Sequence, residues 1–122
     1  MTINGFNKTT LLDYPGKIAS TIFLGGCNFR CPFCHNSGLV LSPKEQPVIP
    51  VHEVLQVLKK RQGILEGVCI TGGEPTQNKE LFLLIDRIKE LGYPIKLDTN
   101  GSHPWILKKL VKNHMIDMVA MD

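Results

Sequence analysis

The strongest constraint on the fold is an alternation of two hydrophobic periods from residue 17 onward. "KIASTIFLGG" (17–26), bounded by Pro15-Gly16 and Gly25-Gly26, is apolar and rich in β-branched residues, which predicts a buried strand. "VHEVLQVLKKR" (51–61) then places Val51, Val54, Leu55 and Leu58 on one helical face. "ILEGVCITGG" (64–73) returns to a strand, and "NKELFLLIDRIKELG" (78–92) carries Leu81, Leu84, Ile85, Ile88 and Leu91 at helical spacing before stopping at Gly92. "PIKLDTNG" (94–101) is a third strand. "HPWILKKLVKN" (103–113), with Pro104 in its first turn, is a third helix, and "MIDMVAMD" (115–122) is a fourth strand. The stretch 37–49, rich in proline up to Pro50, reads as a loop.

Strand and helix in strict alternation describe βαβ units with a parallel sheet and right-handed crossovers. A closed barrel of eight such units takes about 200 residues or more, and the chain has 122. The fold expected is therefore α/β, a parallel-sheet partial (β/α) barrel of about four strands, with residues 1–122 forming one domain. Asp122 falls at a strand end with no helix after it, so the chain reads as a fragment or a shortened form. In this layout the cysteine-rich segment follows strand one, "TGGEP" (71–75) ends strand two, "DTNG" (98–101) ends strand three and Asp122 ends strand four. All of them fall on the carboxyl edge of one sheet, where ligands bind in α/β folds.

"LGGCNFRCPFCHN" (24–36) holds Cys27, Cys31 and Cys34, followed at once by His35. The amino terminus has no basic start leading into a long apolar stretch, and nowhere do 18 apolar residues run together, which predicts a cytoplasmic protein with no membrane contact. In a reducing compartment clustered thiols favour metal or redox chemistry over disulfides. Cys31 to His35 also matches the haem-attachment pattern C-x-x-C-H, but that would go with export and leaves Cys27 without a purpose. A tetrahedral zinc on Cys27, Cys31, Cys34 and His35 is a serious alternative, though adjacent Cys34 and His35 diverge from the backbone. A [4Fe–4S] cluster on three thiolates leaves one iron open to a substrate or cofactor. The fourth cysteine, Cys69, lies in "GVCIT" and reads as a small buried hydrophobe. A formal charge of +3, with no basic run longer than the triplet Lys59-Lys60-Arg61, does not call for nucleic acid.

The spacing C-x₃-C-x-aromatic-C, followed one βαβ unit later by Gly72-Gly73-Glu74, resembles the radical S-adenosylmethionine superfamily. Within it, "GFNKTTLLDYPGKIASTIFLGGCNFRCPFCHN" is similar to the glycyl-radical-enzyme activating proteins, and most of all to the short activators of anaerobic ribonucleoside-triphosphate reductase. The resemblance runs through "TGGEP", "LDTNG" and "MIDMVAMD". It implies a [4Fe–4S] cluster on Cys27, Cys31 and Cys34, whose open iron takes the amino and carboxylate groups of S-adenosylmethionine. Phe33 would lie near the adenine, and Gly72, Gly73 and Glu74 would hold the methionine ammonium. Asp98, Thr99 and Asp122 would add polar groups around the cofactor and an associated cation. One electron, from a flavodoxin or ferredoxin-type reductant, would cleave the cofactor to methionine and a 5′-deoxyadenosyl radical. That radical would take hydrogen from a backbone glycine of the partner reductase.

Other readings stay open. Asp98 to Gly101 is equally a turn, because Asp, Asn and Gly favour turns on their own. "DYPGK" (13–17) is either a turn before strand one or part of the activase pattern. The radical chemistry could serve another glycyl radical enzyme or a small molecule such as a deazaguanine precursor, and a zinc-holding module is the non-catalytic alternative. His35 reads as a bystander, His52, His103 and His114 as surface or helix-end residues, and Trp105 as core or helix-face packing.

Overall fold

The computed structural model describes residues 3–25 and 48–121. Among them, one sheet runs in the order β1 (Ile3–Thr10), β2 (Ala19–Leu24), β3 (Gly67–Gly72), β4 (Ile95–Thr99), β5 (Met118–Met121). The pairs β2–β3, β3–β4 and β4–β5 are parallel, and each gap between them is bridged by a helix: α1 (Val51–Lys60), α2 (Leu81–Glu90) and α3 (Pro104–Lys112). The sheet is mixed, mostly parallel and open, a partial barrel in agreement with the fold class expected from the alternation. A short 3-10 turn, Pro75–Gln77, follows β3.

The strand period explains which side the helices take. Ile22 and Leu24 of β2, Val68 and Ile70 of β3, and Ile95 and Leu97 of β4 join Val54 and Leu58 of α1, four residues of α2 and Leu110 of α3 in one apolar cluster. Alternate residues point the other way, and Thr21, Cys69 and Lys96 stand side by side in register on the opposite face. Helix α2 buries Leu81, Leu84, Ile85 and Ile88, the i, i+3, i+4, i+7 stripe visible in the sequence. Each such side chain contributes about 1.5–3 kcal/mol when fully removed from water. The helix stops where the sequence says it should: Gly92 takes φ +89° and its N–H closes on the Lys89 carbonyl at 2.9 Å.

Three expectations need correction. A fifth strand exists, because β1 pairs antiparallel with β2 from Ile3↔Leu24 to Thr10↔Ala19, with irregularities after Ile3 and Asn7. Its sequence, INGFNKTT, is mostly polar, and only Ile3, Asn4 and Thr10 are buried, so no clean alternation marks it. Ile49, placed in a loop by its prolines, makes an antiparallel bridge to Ile3, its N–H reaching the Ile3 carbonyl at 2.8 Å. Trp105 packs in neither core nor helix interface and is 82% exposed. The remaining bounds move by a few residues; β3 starts at Gly67 because 61–66 form a turn closed by Ile64 and Leu65 N–H groups on the Arg61 carbonyl.

Candidate functional site

The carboxyl ends of β2, β3 and β4 meet through backbone and one carboxylate. Strand β3 ends at Gly72 with φ +126°, a conformation only glycine adopts readily. A Cβ there would lie 2.1 Å from the Leu24 carbonyl oxygen and 2.5 Å from the Leu24 nitrogen, backbone atoms with no room to yield. The next N–H, of Gly73, donates to the Leu24 carbonyl at 3.0 Å. Both glycines thus fasten the end of β3 to the end of β2, three residues before Cys27. Cys27, Cys31, Phe33, Cys34, His35 and Asp122 lie outside the described residues.

Glu74, only 1% exposed, follows as the residue that starts the 3-10 turn. Its Oε2 accepts from the Thr76 N–H at 3.0 Å, from the Thr76 hydroxyl, and from the Thr99 hydroxyl at 2.7 Å. Its Oε1 accepts from the Asn100 N–H at 2.7 Å. Four donors on one buried carboxylate join β3 to the turn after β4. While its hydroxyl proton goes to Glu74, the Thr99 oxygen accepts from the Gly101 N–H at 3.2 Å, within a turn also held by Ser102 N–H on Asn100 Oδ1 at 2.9 Å. The "DTNG" segment is therefore a turn and a partner of "GGE" at once. An ionised carboxylate offers about four acceptor positions, two per oxygen, so among the described residues Oε2 is saturated while Oε1 keeps capacity for one more donor. That donor set, anionic and with one open acceptor, fits an ammonium group.

Asp98 takes a different role from its neighbour. Adjacent strand residues face opposite sides, and the Asp98 carboxylate meets Lys96 Nζ at 2.6 Å and the Cys69 thiol at 3.5 Å. Lys96 is 9% exposed. Burial alone would lower its pKa, but the hydrogen bond and charge of Asp98 outweigh it and hold the ammonium above its usual value. Burial, and then the negative charge of Asp98, push the Cys69 thiol up to about 12. Cys69 is buried as expected, and it stays a protonated donor at neutral pH rather than a thiolate ligand. Thr21 donates to Asp13 at 2.7 Å on the same face, so "DYPGK" contributes an anion to this polar group.

The structure thus brings Gly72, Gly73, Glu74 and Thr99 together and turns Asp98 toward Lys96 and Cys69. Thr76 and Lys96 are participants not singled out in the sequence, and His103, read as a helix-end residue, does start α3 but also takes part here. Thr76 carries a signal in retrospect, since an acidic residue two positions before a Thr N–H is a local capping pattern. Lys96 carries one too, since i and i+2 on a strand share a face and Asp98 is its i+2 neighbour on β4, whereas the contact of His103 with Thr76, 27 residues away, carries none.

Comparison with known proteins matches residues 21–122 to the Radical SAM superfamily. A Methanocaldococcus jannaschii protein named "Putative glycyl-radical enzyme activating enzyme" is 40% identical over 121 residues, covering 98% of this chain and 49% of that protein. The 7-carboxy-7-deazaguanine synthase of Hyperthermus butylicus is 34% identical over 92 residues, 75% of this chain and 38% of the synthase. The crystal structure of QueE from Escherichia coli superposes with a TM-score of 0.65 at 23% identity, over 84% of this chain and 53% of QueE, a likeness of fold. The chain spans 49% and 38% of the length of the two sequence relatives and about half of QueE. With the motif, the open parallel sheet and the match over residues 21–122 in agreement, the chain belongs to the radical SAM superfamily.

Proposed function

We propose that this chain serves reductive cleavage of S-adenosylmethionine at a [4Fe–4S] cluster held by Cys27, Cys31 and Cys34. The observation that carries this reading is the anchoring of Gly72 and Gly73, next to the buried Glu74, onto Leu24, which lies three residues before Cys27 in sequence. It puts a buried carboxylate at the sheet edge from which the cysteine segment continues in sequence, which supports the reading. When bound, the cluster supplies the single electron that breaks a carbon–sulfur bond of the sulfonium. The chain's own residues bind and orient: Glu74 Oε1 accepts from the methionine ammonium, Thr99 holds Glu74, and Phe33 lies against the adenine. Asp98 on β4, and Asp122 by its place in the sequence after β5, complete the polar set in this reading.

The target in this reading is a backbone glycine of a glycyl radical enzyme, anaerobic ribonucleoside-triphosphate reductase, with a flavodoxin or ferredoxin-type protein as reductant. Identity of 40% across 98% of the chain to a protein named as an activating enzyme favours this target. Similarity to a 7-carboxy-7-deazaguanine synthase supports a second reading, a small-molecule target such as a deazaguanine precursor. The test is anaerobic reconstitution with iron and sulfide, then dithionite and S-adenosylmethionine. Formation of 5′-deoxyadenosine is expected, and adding the reductase should give a glycyl radical signal in electron paramagnetic resonance. Folded protein with four irons that forms no 5′-deoxyadenosine defeats the cofactor reading. Cleavage without a signal on the reductase moves the target to the second reading, and colourless zinc-loaded protein supports a structural module instead.

A further inference from the structure

His103 begins α3 from the turn after β4, yet its ring reaches back to the turn after β3: Nδ1 lies 3.1 Å from Thr76 Oγ1 and 3.2 Å from Ser102 Oγ. A hydroxyl has one proton to give. Thr76 directs its proton at Glu74 Oε2, which is an acceptor only. The Thr76 oxygen must then accept from His103, and this requires the proton to sit on Nδ1. A bare Nδ1 would set its lone pair against an oxygen whose proton is already committed, an arrangement that repels in a part-buried site.

We infer that His103 is a positioning residue for Glu74, acting through Thr76 as an Nδ1–H donor. The chain of donors runs from His103 to the Thr76 hydroxyl to Glu74 Oε2. It keeps Oε2 saturated and fixes the rotation of the carboxylate, so that Oε1, with the Asn100 N–H as its one donor among the described residues, is the oxygen presented to a ligand. This inference rests on the proposed role of Glu74 toward the methionine ammonium. It adds which oxygen does the binding and which distant ring holds it there. The ring does not touch the ammonium, so its effect is on affinity rather than on the chemical step.

Two measurements on the whole chain test it. In protein labelled with ¹⁵N-histidine, the long-range ¹H–¹⁵N pattern of the neutral His103 ring should show Nδ1 protonated and Nε2 bare; a bare Nδ1 overturns the inference whatever the enzyme binds. In anaerobically reconstituted protein, the Kd for S-adenosylmethionine is measured by equilibrium dialysis for three variants. His103→Leu should raise Kd about tenfold, the loss of part of one charge-assisted hydrogen bond, with the cleavage rate at saturation within about twofold of the parent. His103→Asn places an amide N–H near the Nδ1 position and should restore Kd to within about threefold, whereas His103→Gln, whose amide lies one bond further out, should resemble Leu. Should the Leu variant fail to fold, the Asn and Gln pair still decides. Equal Kd for all three variants and the parent refutes the inference, as does Asn as weak as Leu. If the four-iron parent does not bind S-adenosylmethionine at all, the proposed function fails, and the tautomer alone then decides whether His103 holds Glu74.

Discussion

Glu74→Gln separates a carboxylate that builds the site from one that waits for a ligand. The parent side chain satisfies four donors from Thr76, Thr99 and Asn100. A glutamine has one acceptor oxygen and two N–H donors in the same space. If the oxygen takes the Oε2 position it can serve two of three donors there, and its amide nitrogen then faces the Asn100 N–H, donor against donor. The reverse orientation leaves three donors opposite N–H groups. In the better case two hydrogen bonds to a charged acceptor are lost and at least one buried donor is stranded, at about 1–3 kcal/mol for each stranded group. A total of about 2–4 kcal/mol follows after partial relaxation. With an unfolding entropy near 2.1 cal/mol/K per residue, that is a drop in Tm of roughly 8–16 °C for a chain of this length. Far-UV circular dichroism melts of the metal-free protein, with no cofactor present, read this directly. A carboxylate serving only a ligand is uncompensated before binding, and neutralising it would leave Tm unchanged or raise it. A Tm for Glu74→Gln within 2 °C of the parent refutes the hydrogen-bonded hub.

Further expectations rest on individual positions. Gly72→Ala should cost roughly 3 kcal/mol or more, because a Cβ would sit 2.1 Å from the Leu24 carbonyl. Gly16→Ala, at φ +77° with open space around it, should cost only about 1 kcal/mol in the same urea titration; equal costs would show that φ and not the contact with β2 matters at Gly72. His114 takes φ +55° after α3, where its N–H meets the Val111 carbonyl and the Met115 N–H meets that of Leu110, the double closure of a Schellman cap. His114→Gly should therefore stabilise the chain by about 0.5–1 kcal/mol, read as a higher urea midpoint. Cys69 supplies a pH dependence. Its folded pKa of about 12 stands above the unfolded value of 9.0, so its contribution is fully present below pH 9 and is lost as pH rises toward 12. Over that window the stability of the parent should fall about 1.4 kcal/mol per pH unit more steeply than that of Cys69→Ala; parallel slopes would count against a buried, protonated thiol.

Much of the architecture was legible along the chain, for an identifiable physical reason. Helix α2 buries one side over several turns, and the strands β2 to β4 are buried along nearly their whole length as short apolar runs, so both signals are written into consecutive positions and survive any detail of packing. Gly92 and Pro104 mark helix ends through local backbone preference alone, without help from the rest of the fold. The same locality put "TGGEP" and "DTNG" at strand ends, since a βαβ order fixes which ends share an edge. Strand β1 lacked such a mark, because it is held by pairing with β2 rather than by burying a regular face.

Only the tertiary structure decided what the edge residues do to one another. Asp98 and Thr99 are neighbours in sequence, but the pleat sends one to Lys96 and Cys69 and the other to Glu74. Glu74 reads in sequence as a ligand's partner; folded, it is also the hydrogen-bonded link between β3 and the turn after β4. His103 looks like an ordinary helix-end residue until the turn brings it to Thr76, 27 residues earlier. Periodicity reports the water-avoiding face of each element, which depends on its own residues. Hydrogen-bond partnership across strand ends depends on register, turn geometry and the single proton each hydroxyl carries, and these exist only once the sheet has formed.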